Sequence, residues 1–396
     1  MKIGMNKTYN FTNSIRKGIT EAVIILSVFA LIMGVGYALC PETMQGGIPT
    51  TLANRVGYAL VRIGGAVCDN AGMVMAVCFG AALTGAKADR WKAGAAGLMS
   101  FLIMTALLTP YTISSLFPGW SENADVTKTF MVSANMLTGM LAGGIAGLSF
   151  RQDAEEKIET VWKELACTAA GSLLSALVLA VLWPLASIGV MKFCVWMSTK
   201  GIAGAAGFTA LNRLLTPFGL RPACNEIFLN GEGWIGDLPH YWAGENTVVN
   251  GVSQPAGMYM SGFFAPMMGG IPGLCLAVYH YEKQSGKKVK YASLLLLGAV
   301  LSFFSGSSEY IELLALAQCP LLFLCSCLLF GVFALLSNMT GFRAGFSLSA
   351  GLTDLIFSSL FPGAFRTWMI LPLGLLAFGL WYVMTSLILK YKGRRH

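Results

Sequence analysis

Apolar runs follow one another along almost the whole chain, separated by short polar or basic breaks. They read as Ala22–Leu39, Ala71–Leu83, Gly94–Leu108, Met131–Phe150, Thr168–Leu185, Met258–Tyr281, Tyr291–Phe304, Pro320–Leu336, Phe342–Leu360 and Trp368–Leu389. A helix needs about 20 apolar residues to cross the hydrocarbon core of a bilayer. The pattern therefore predicts an all-α polytopic membrane protein of about ten transmembrane helices. Within it, Gly139, Gly143 and Gly147 form two overlapping small-xxx-small pairs, suited to close helix contact. Asp69-Asn70 opens the second run as a helix cap.

The breaks set the topology. Lys2, Lys7, Arg16 and Lys17 precede the first run; Lys87, Arg90 and Lys92, then Lys283, Lys287, Lys288 and Lys290, and finally Lys390, Lys392, Arg394 and Arg395 follow later ones. By the positive-inside rule these segments, and both termini, are cytoplasmic. The first run reads as an anchor rather than a removed signal peptide.

Near residues 195–205 the character changes. Met197–Ala206 is rich in small residues, Asn212–Asn230 holds two prolines, and Gly231–Gln254 is a long polar loop. This divides the chain into a scaffold domain, 1–198, and a functional domain, 199–396. In the second, Pro266, Gly269, Gly270, Pro272 and Gly273 interrupt an apolar run, which predicts a kink or break.

The most unusual stretch is Phe303–Glu312, where Ser305-Gly306-Ser307-Ser308 and two acids, Glu309 and Glu312, sit among membrane-like sequence. Charge at that depth needs a cavity, a partner or a substrate, and irregular backbone there must be buried in protein or line a cavity. The segment is expected to turn back as a re-entrant hairpin and to floor a binding site. Asp354 is a further buried acid, either at the site or in a structural role, as a helix cap or as the partner of an arginine such as Arg343.

Composition agrees. With 55% hydrophobic residues, 12% charged and a mean hydropathy of +0.65, an ordinary soluble protein is excluded, and so is room for a separate soluble catalytic domain. The net charge of +8 lies in short clusters between apolar runs, which excludes a nucleic-acid-binding face. The ten cysteines carry no CxxC pair and no histidine at ligand spacing, so they read as buried reduced thiols; no metal site and no cofactor are expected. The three histidines (His240, His280 and His396) form no nucleophile–histidine constellation, so the chain is not expected to be an enzyme on its own.

Four segments, in order, resemble the membrane-embedded C component (EIIC) of the bacterial sugar phosphotransferase system, in its glucose/glucoside/N-acetylglucosamine superfamily. They are Asn212–Leu220 with Asn225 and Phe228; Gly262–His280, with its Met267-Met268-x-Gly270-Ile271-Pro272-Gly273; Ser308-Glu309-Tyr310-Ile311-Glu312, similar to a Thr-Glu-Pro-Ile-Glu signature; and Gly345–Asp354. The resemblance implies an elevator-type homodimer in the bacterial inner membrane. Its first half makes the dimer contact, and its second half carries one hexose or glucoside, which a separate phosphocysteine B component phosphorylates. It also implies sugar contacts at Arg213, Arg221, Asn225, Ser308, Glu309, Glu312 and Asp354, with Glu309 as the base toward the phosphorylated hydroxyl. Phe218, Phe228, Trp234 and Tyr310 suit a pyranose face. Three positions depart from the family pattern: Arg221-Pro222 replaces a histidine, Phe263 a lysine and Tyr310 a proline. They leave open a carrier or sensor uncoupled from phosphorylation. From another class, an ion-coupled transporter would use Glu309, Glu312 and Asp354 to bind a cation or proton.

Overall fold

The computed structural model describes residues 2–40, 47–84, 90–116, 135–150, 158–230, 234–249, 251–285, 289 and 291–393. In chain order the helices are α1 (Lys2–Leu39), α2 (Leu52–Cys68), α3 (Ala71–Leu83), α4 (Arg90–Leu107), α5 (Pro110–Leu116), α6 (Met136–Ser149), α7 (Ile158–Ser198), α8 (Gly201–Leu215), α9 (Arg221–Asn225) and α10 (Asp237–Ala243). An antiparallel hairpin of β1 (Asn246–Val249) and β2 (Val252–Pro255) follows. The chain then continues through α11 (Ile271–Gln284), α12 (Ala292–Ser305), α13 (Glu309–Gln318), α14 (Pro320–Thr340), α15 (Leu352–Ser358) and α16 (Ile370–Gly393).

Among the described residues, five helical stretches are long and apolar enough to cross a membrane: Phe11–Leu39, Ile158–Ser198, Ser261–Gln284, Pro320–Thr340 and Thr367–Gly393. Counting α2 with α3 makes a sixth. α6 and α12, 14 residues each, extend only about 21 Å at the rise of an α-helix.

The chain divides into two compact units: residues 1–26, 66–190 and 217–223 form one, and residues 27–65, 191–216 and 224–396 the other. In the first, α3, α4 and α6 pack with their backbones almost touching. A Cβ at Gly139 would run into the Gly72 carbonyl, one at Gly143 into that of Ala76, and one at Gly147 into Leu83. Spaced by four residues, these glycines share one helix face. Ala76, Phe101, Met104, Ala142 and Ala176 fill the core beside them, and Ser100 and Ser172 share a buried hydroxyl bond of 2.6 Å. Asn135 caps α6, its Oδ1 accepting from the N–H groups of Leu137 and Thr138. Asn70 does not cap α3 with its side chain. Its Nδ2 donates backward to the Ala66 carbonyl at 2.9 Å, closing the end of the preceding helix.

In the second unit, one expectation is narrowed and one is corrected. The Gly/Pro-rich run does not break: Ser261–Gln284 is continuously helical, with a 3-10 turn at Ser261–Phe263 and a π turn at Pro266–Gly270 leading into α11. Its glycines serve packing instead. A Cβ at Gly269 would strike the Gly374 carbonyl, one at Gly273 the Phe378 carbonyl, and one at Gly270 the Trp381 ring. Trp381, fully buried, donates Nε1–H to Ser326 Oγ at 2.8 Å.

The run Phe342–Leu360 is no span. Gly341, at φ +74°, ends α14, residues 342–351 are non-helical, and only the seven residues of α15 are helical thereafter. Ser347, Ser349 and glycines at 345 and 351 lower helix propensity here, and buried partners supply the hydrogen bonds that an interior helix would have made.

Candidate functional site

The Phe303–Glu312 stretch folds as the tip of a helical hairpin. α12 ends where Gly306 takes a left-handed conformation (φ +70°), its N–H returning to Leu301 and Ser302. Glycine relieves the strain of that conformation, and a Cβ here would also press on the Ala350 backbone at 2.6 Å. Two residues later Ser308 starts α13, its carbonyl accepting from Ile311 and Glu312. The outer ends of the hairpin lie together. Tyr291 and Gln318 line one cavity, and the Gln318 carbonyl accepts from Lys392 Nζ at 2.6 Å.

Below the tip is a buried ion pair. Arg213, in the last turn of α8, and Glu312, in the first turn of α13, are 5% and 3% exposed. The Arg213 Nη1 to Glu312 Oε1 distance is 3.7 Å. Ser308 links them: its hydroxyl accepts from Arg213 Nη1 at 3.3 Å and donates to Glu312 Oε1 at 2.8 Å. The guanidinium lies 5.0 Å from the Phe263 ring centroid and 5.3 Å from that of Phe330, at cation–π range. Phe263 occupies the position where the family resemblance has lysine; an ammonium beside the guanidinium would repel it, whereas the ring attracts it. Two atoms of the pair, Arg213 Nε and Glu312 Oε2, are buried without a hydrogen-bond partner. Unmatched groups of this kind are uncommon in folded proteins and call for an explanation such as a ligand.

Residues 347–351 pack against the tip. Asp354, 2% exposed, accepts N–H bonds from Ser347, Leu348 and Ser349 at 3.0–3.1 Å. Its carboxylate is spent on main-chain donors rather than on Arg343. Ser349 Oγ donates to the Gly306 carbonyl at 2.9 Å, and Thr353 Oγ1 to that of Phe304 at 3.1 Å. Gly351 abuts the Gly306 backbone. Asp354 thus fixes the loop, and the loop fixes the hairpin tip.

Of the expected residues, Arg213, Ser308 and Glu312 are in direct contact, and Asp354 is joined to them through the 347–351 loop. Glu309 is half-buried at the start of α13. Asn225 accepts from Asn212 Nδ2 at 2.5 Å, one residue before Arg213. Arg221 opens α9 and belongs to the first compact unit, whereas the others belong to the second. The aromatic expectation is corrected in part: Phe228 is wholly buried against Phe208 and Tyr259, and Tyr310 is buried too. Phe218 and Trp234 are exposed. Asn212, Phe263, Phe330 and Ser349 were not expected. Asn212 and Ser349 lie in segments that carry the family resemblance, and Phe263 departs from a family lysine; Phe330 carries no signal. Among the described residues, no group of three or more His, Cys, Asp or Glu could hold a metal ion.

A family model described as "Phosphotransferase system, EIIC" matches residues 16–331. The chain is 29% identical over 348 residues to the "PTS system N-acetylglucosamine-specific EIICBA component" of Escherichia coli (strain K12), covering 84% of this chain and 49% of that protein. It is 32% identical over 308 residues to the "PTS system N-acetylglucosamine-specific EIICB component" of Bacillus subtilis (strain 168), covering 74% and 62%. The chain thus spans about half to three-fifths of the length of these curated relatives. Among solved structures, the transporter ChbC, the IIC component from an N,N'-diacetylchitobiose-specific phosphotransferase system, aligns over 98% of this chain and 94% of its own at 13% identity, with a TM-score of 0.35. With the family model matched across both compact units, the chain belongs to the EIIC family of the phosphotransferase system.

Proposed function

We propose that the chain is a sugar permease component that binds a hexose of the glucose and N-acetylglucosamine class at the hairpin tip. There it presents the sugar to a phosphorylated B component. The observation that carries this reading is the buried Arg213–Ser308–Glu312 group with one donor and one acceptor unsatisfied, beside the half-buried Glu309. Sugar hydroxyls are both donors and acceptors, so one hydroxylated ligand can satisfy both kinds of atom. Glu309 is the charge-assisted acceptor for the reacting hydroxyl. In transfer, that hydroxyl oxygen bonds to phosphorus, the bond from phosphorus to the B-component cysteine sulfur breaks, and Glu309 takes the hydroxyl proton. Ser308 and Asn225 complete the polar lining. Asp354 acts through the loop that it holds, and Glu312 positions Arg213. Arg221, always protonated, cannot act as a base.

The same reading places the chain in a bacterial inner membrane as an elevator-type homodimer of about ten membrane passages, both termini cytoplasmic. Residues 1–198 form its dimer scaffold and residues 199–396 its moving, sugar-bearing part, with α12–α13 entering from the cytoplasmic side. The relatives' names support the sugar class, and the basic clusters support the orientation.

The test is transport into membrane vesicles supplied with labelled sugar and a phosphorylated B partner. Sugar phosphate is expected inside. Accumulation of free sugar instead favours the uncoupled carrier, for which the replacement of a family histidine by Arg221 is the supporting observation. Loss of uptake on collapse of ion gradients alone identifies ion coupling.

A further inference from the structure

The cavity lined by Tyr291 and Gln318 lies away from the hairpin tip, at the outer ends of the hairpin. Its volume is about 490 Å³, within the usual range for small-molecule sites. Leu294, Leu295, Ile311, Leu314, Leu322 and Leu389 supply an apolar wall, while Tyr281, Glu282, Ser285, Tyr291 and Gln318 bring polar groups to its lining. Two features of that polar end point to an occupant. Glu282 Oε2 is buried and has no hydrogen-bond partner, and a buried carboxylate oxygen without a donor is costly. Gln318, which lines the same cavity, accepts from Lys392 Nζ at its main-chain carbonyl, and a stronger acceptor could draw that ammonium away.

We propose that this cavity holds the acyl chain of a membrane phospholipid bearing a primary amine, with its ammonium on Glu282 and its phosphate on Lys392. The apolar wall excludes a strongly hydrated solute. The unpartnered carboxylate oxygen and the Lys392 ammonium held by the cavity residue Gln318 match the two charges of a zwitterionic head. Tyr281, Tyr291, Lys283 and Lys392 are residue types that gather at the membrane interface, which sets the polar end at headgroup depth and the leucine wall along the hydrocarbon. A second apolar groove of about 570 Å³, lined by Pro272, Cys275, Tyr279, Leu296 and Phe378 among others, shares Leu295 with the first. The first arm of the hairpin is therefore loosely packed on two sides, and an acyl chain in the first of these cavities steadies the arm whose far end carries the tip.

The amine is the discriminating group. A primary ammonium donates N–H bonds to Glu282, a choline head has none to give, and an anionic glycerol head is repelled by the carboxylate. The experiment is native mass spectrometry of the full purified chain in detergent, with phosphatidylethanolamine and phosphatidylcholine offered in equal amounts. Retention of the amine lipid about tenfold above the choline lipid is expected, and Glu282→Gln is expected to abolish that preference. Leu314→Trp, which fills the cavity, is expected to remove the bound lipid while the protein still unfolds cooperatively. Equal retention of the two lipids, a preference that persists in Glu282→Gln, or binding of free phosphoethanolamine as strongly as of the lipid would overturn the proposal. None of these readouts involves sugar, so the proposal stands or falls independently of the transport reading.

Discussion

Arg213 and Glu312 face each other across 3.7 Å, both more than nine-tenths buried, with the Ser308 hydroxyl bonded to each. The pair ties the last turn of α8 to the first turn of α13. Its net worth is small because both charges have lost their water, but leaving one of them alone is expensive. Arg213→Met or Glu312→Met alone is expected to destabilise the protein by about 3–5 kcal/mol. The double variant, with no charge left to strand, recovers most of that loss. Thermal unfolding of the four proteins in detergent checks this; strictly additive losses would show the two groups to be uncoupled.

Sugar binding gives a different readout. Glu309→Gln keeps the shape and loses the charge, so the loss of a charged hydrogen bond, about 1.5–3 kcal/mol, weakens affinity by roughly one to two orders of magnitude. Membrane insertion and melting temperature should change little, because Glu309 is only half-buried and outside the buried pair. An unchanged dissociation constant in equilibrium dialysis would remove Glu309 from the site.

Gly306→Ala tests the tip. The left-handed backbone alone costs an L-residue about 1–2 kcal/mol, and the new methyl group meets the Ala350 backbone. The tip and the 347–351 loop must then separate. A fall in melting temperature accompanied by faster proteolysis within residues 342–351 is expected; a neutral outcome would mean that the loop does not rest on the tip.

The Cys194 and Cys224 sulfurs are 3.2 Å apart and fully buried, one near the end of α7 and one in α9. In a chain retaining only these two cysteines, treatment with the thiol oxidant diamide is expected to join them. Mass analysis after cleavage between them reads out the loss of two hydrogens. A failure to cross-link under denaturant-free conditions, with ready cross-linking of a control pair placed on adjacent turns, would separate α7 from α9.

The membrane class, the glycine contacts of α6 and the break at Ser305–Ser308 were legible in the sequence, because each depends on local composition. Helix breaking needs only Gly306 and its serines, and close packing only small residues at a spacing of four. The Phe342–Leu360 run misled because a loop buried in protein can be as apolar as a span. What separates the two is Asp354, whose bonds to three successive N–H groups depend on a fold that composition does not encode. Of the kink or break expected at Pro266–Gly273, the break is absent for the complementary reason: its glycines make room for α16 rather than interrupting a helix. The partnership of Arg213 with Glu312 joins residues 99 positions apart, and only their common burial marks it.

Asp354 grips the main chain of residues 347–349 and none of their side chains. Any residue but proline can supply those N–H groups, so the loop's path is insured against change in its own side chains. Ser347, whose hydroxyl is buried without a partner, can therefore be exchanged without dismantling the hairpin tip. The path of this short loop is thus set apart from the identity of its side chains.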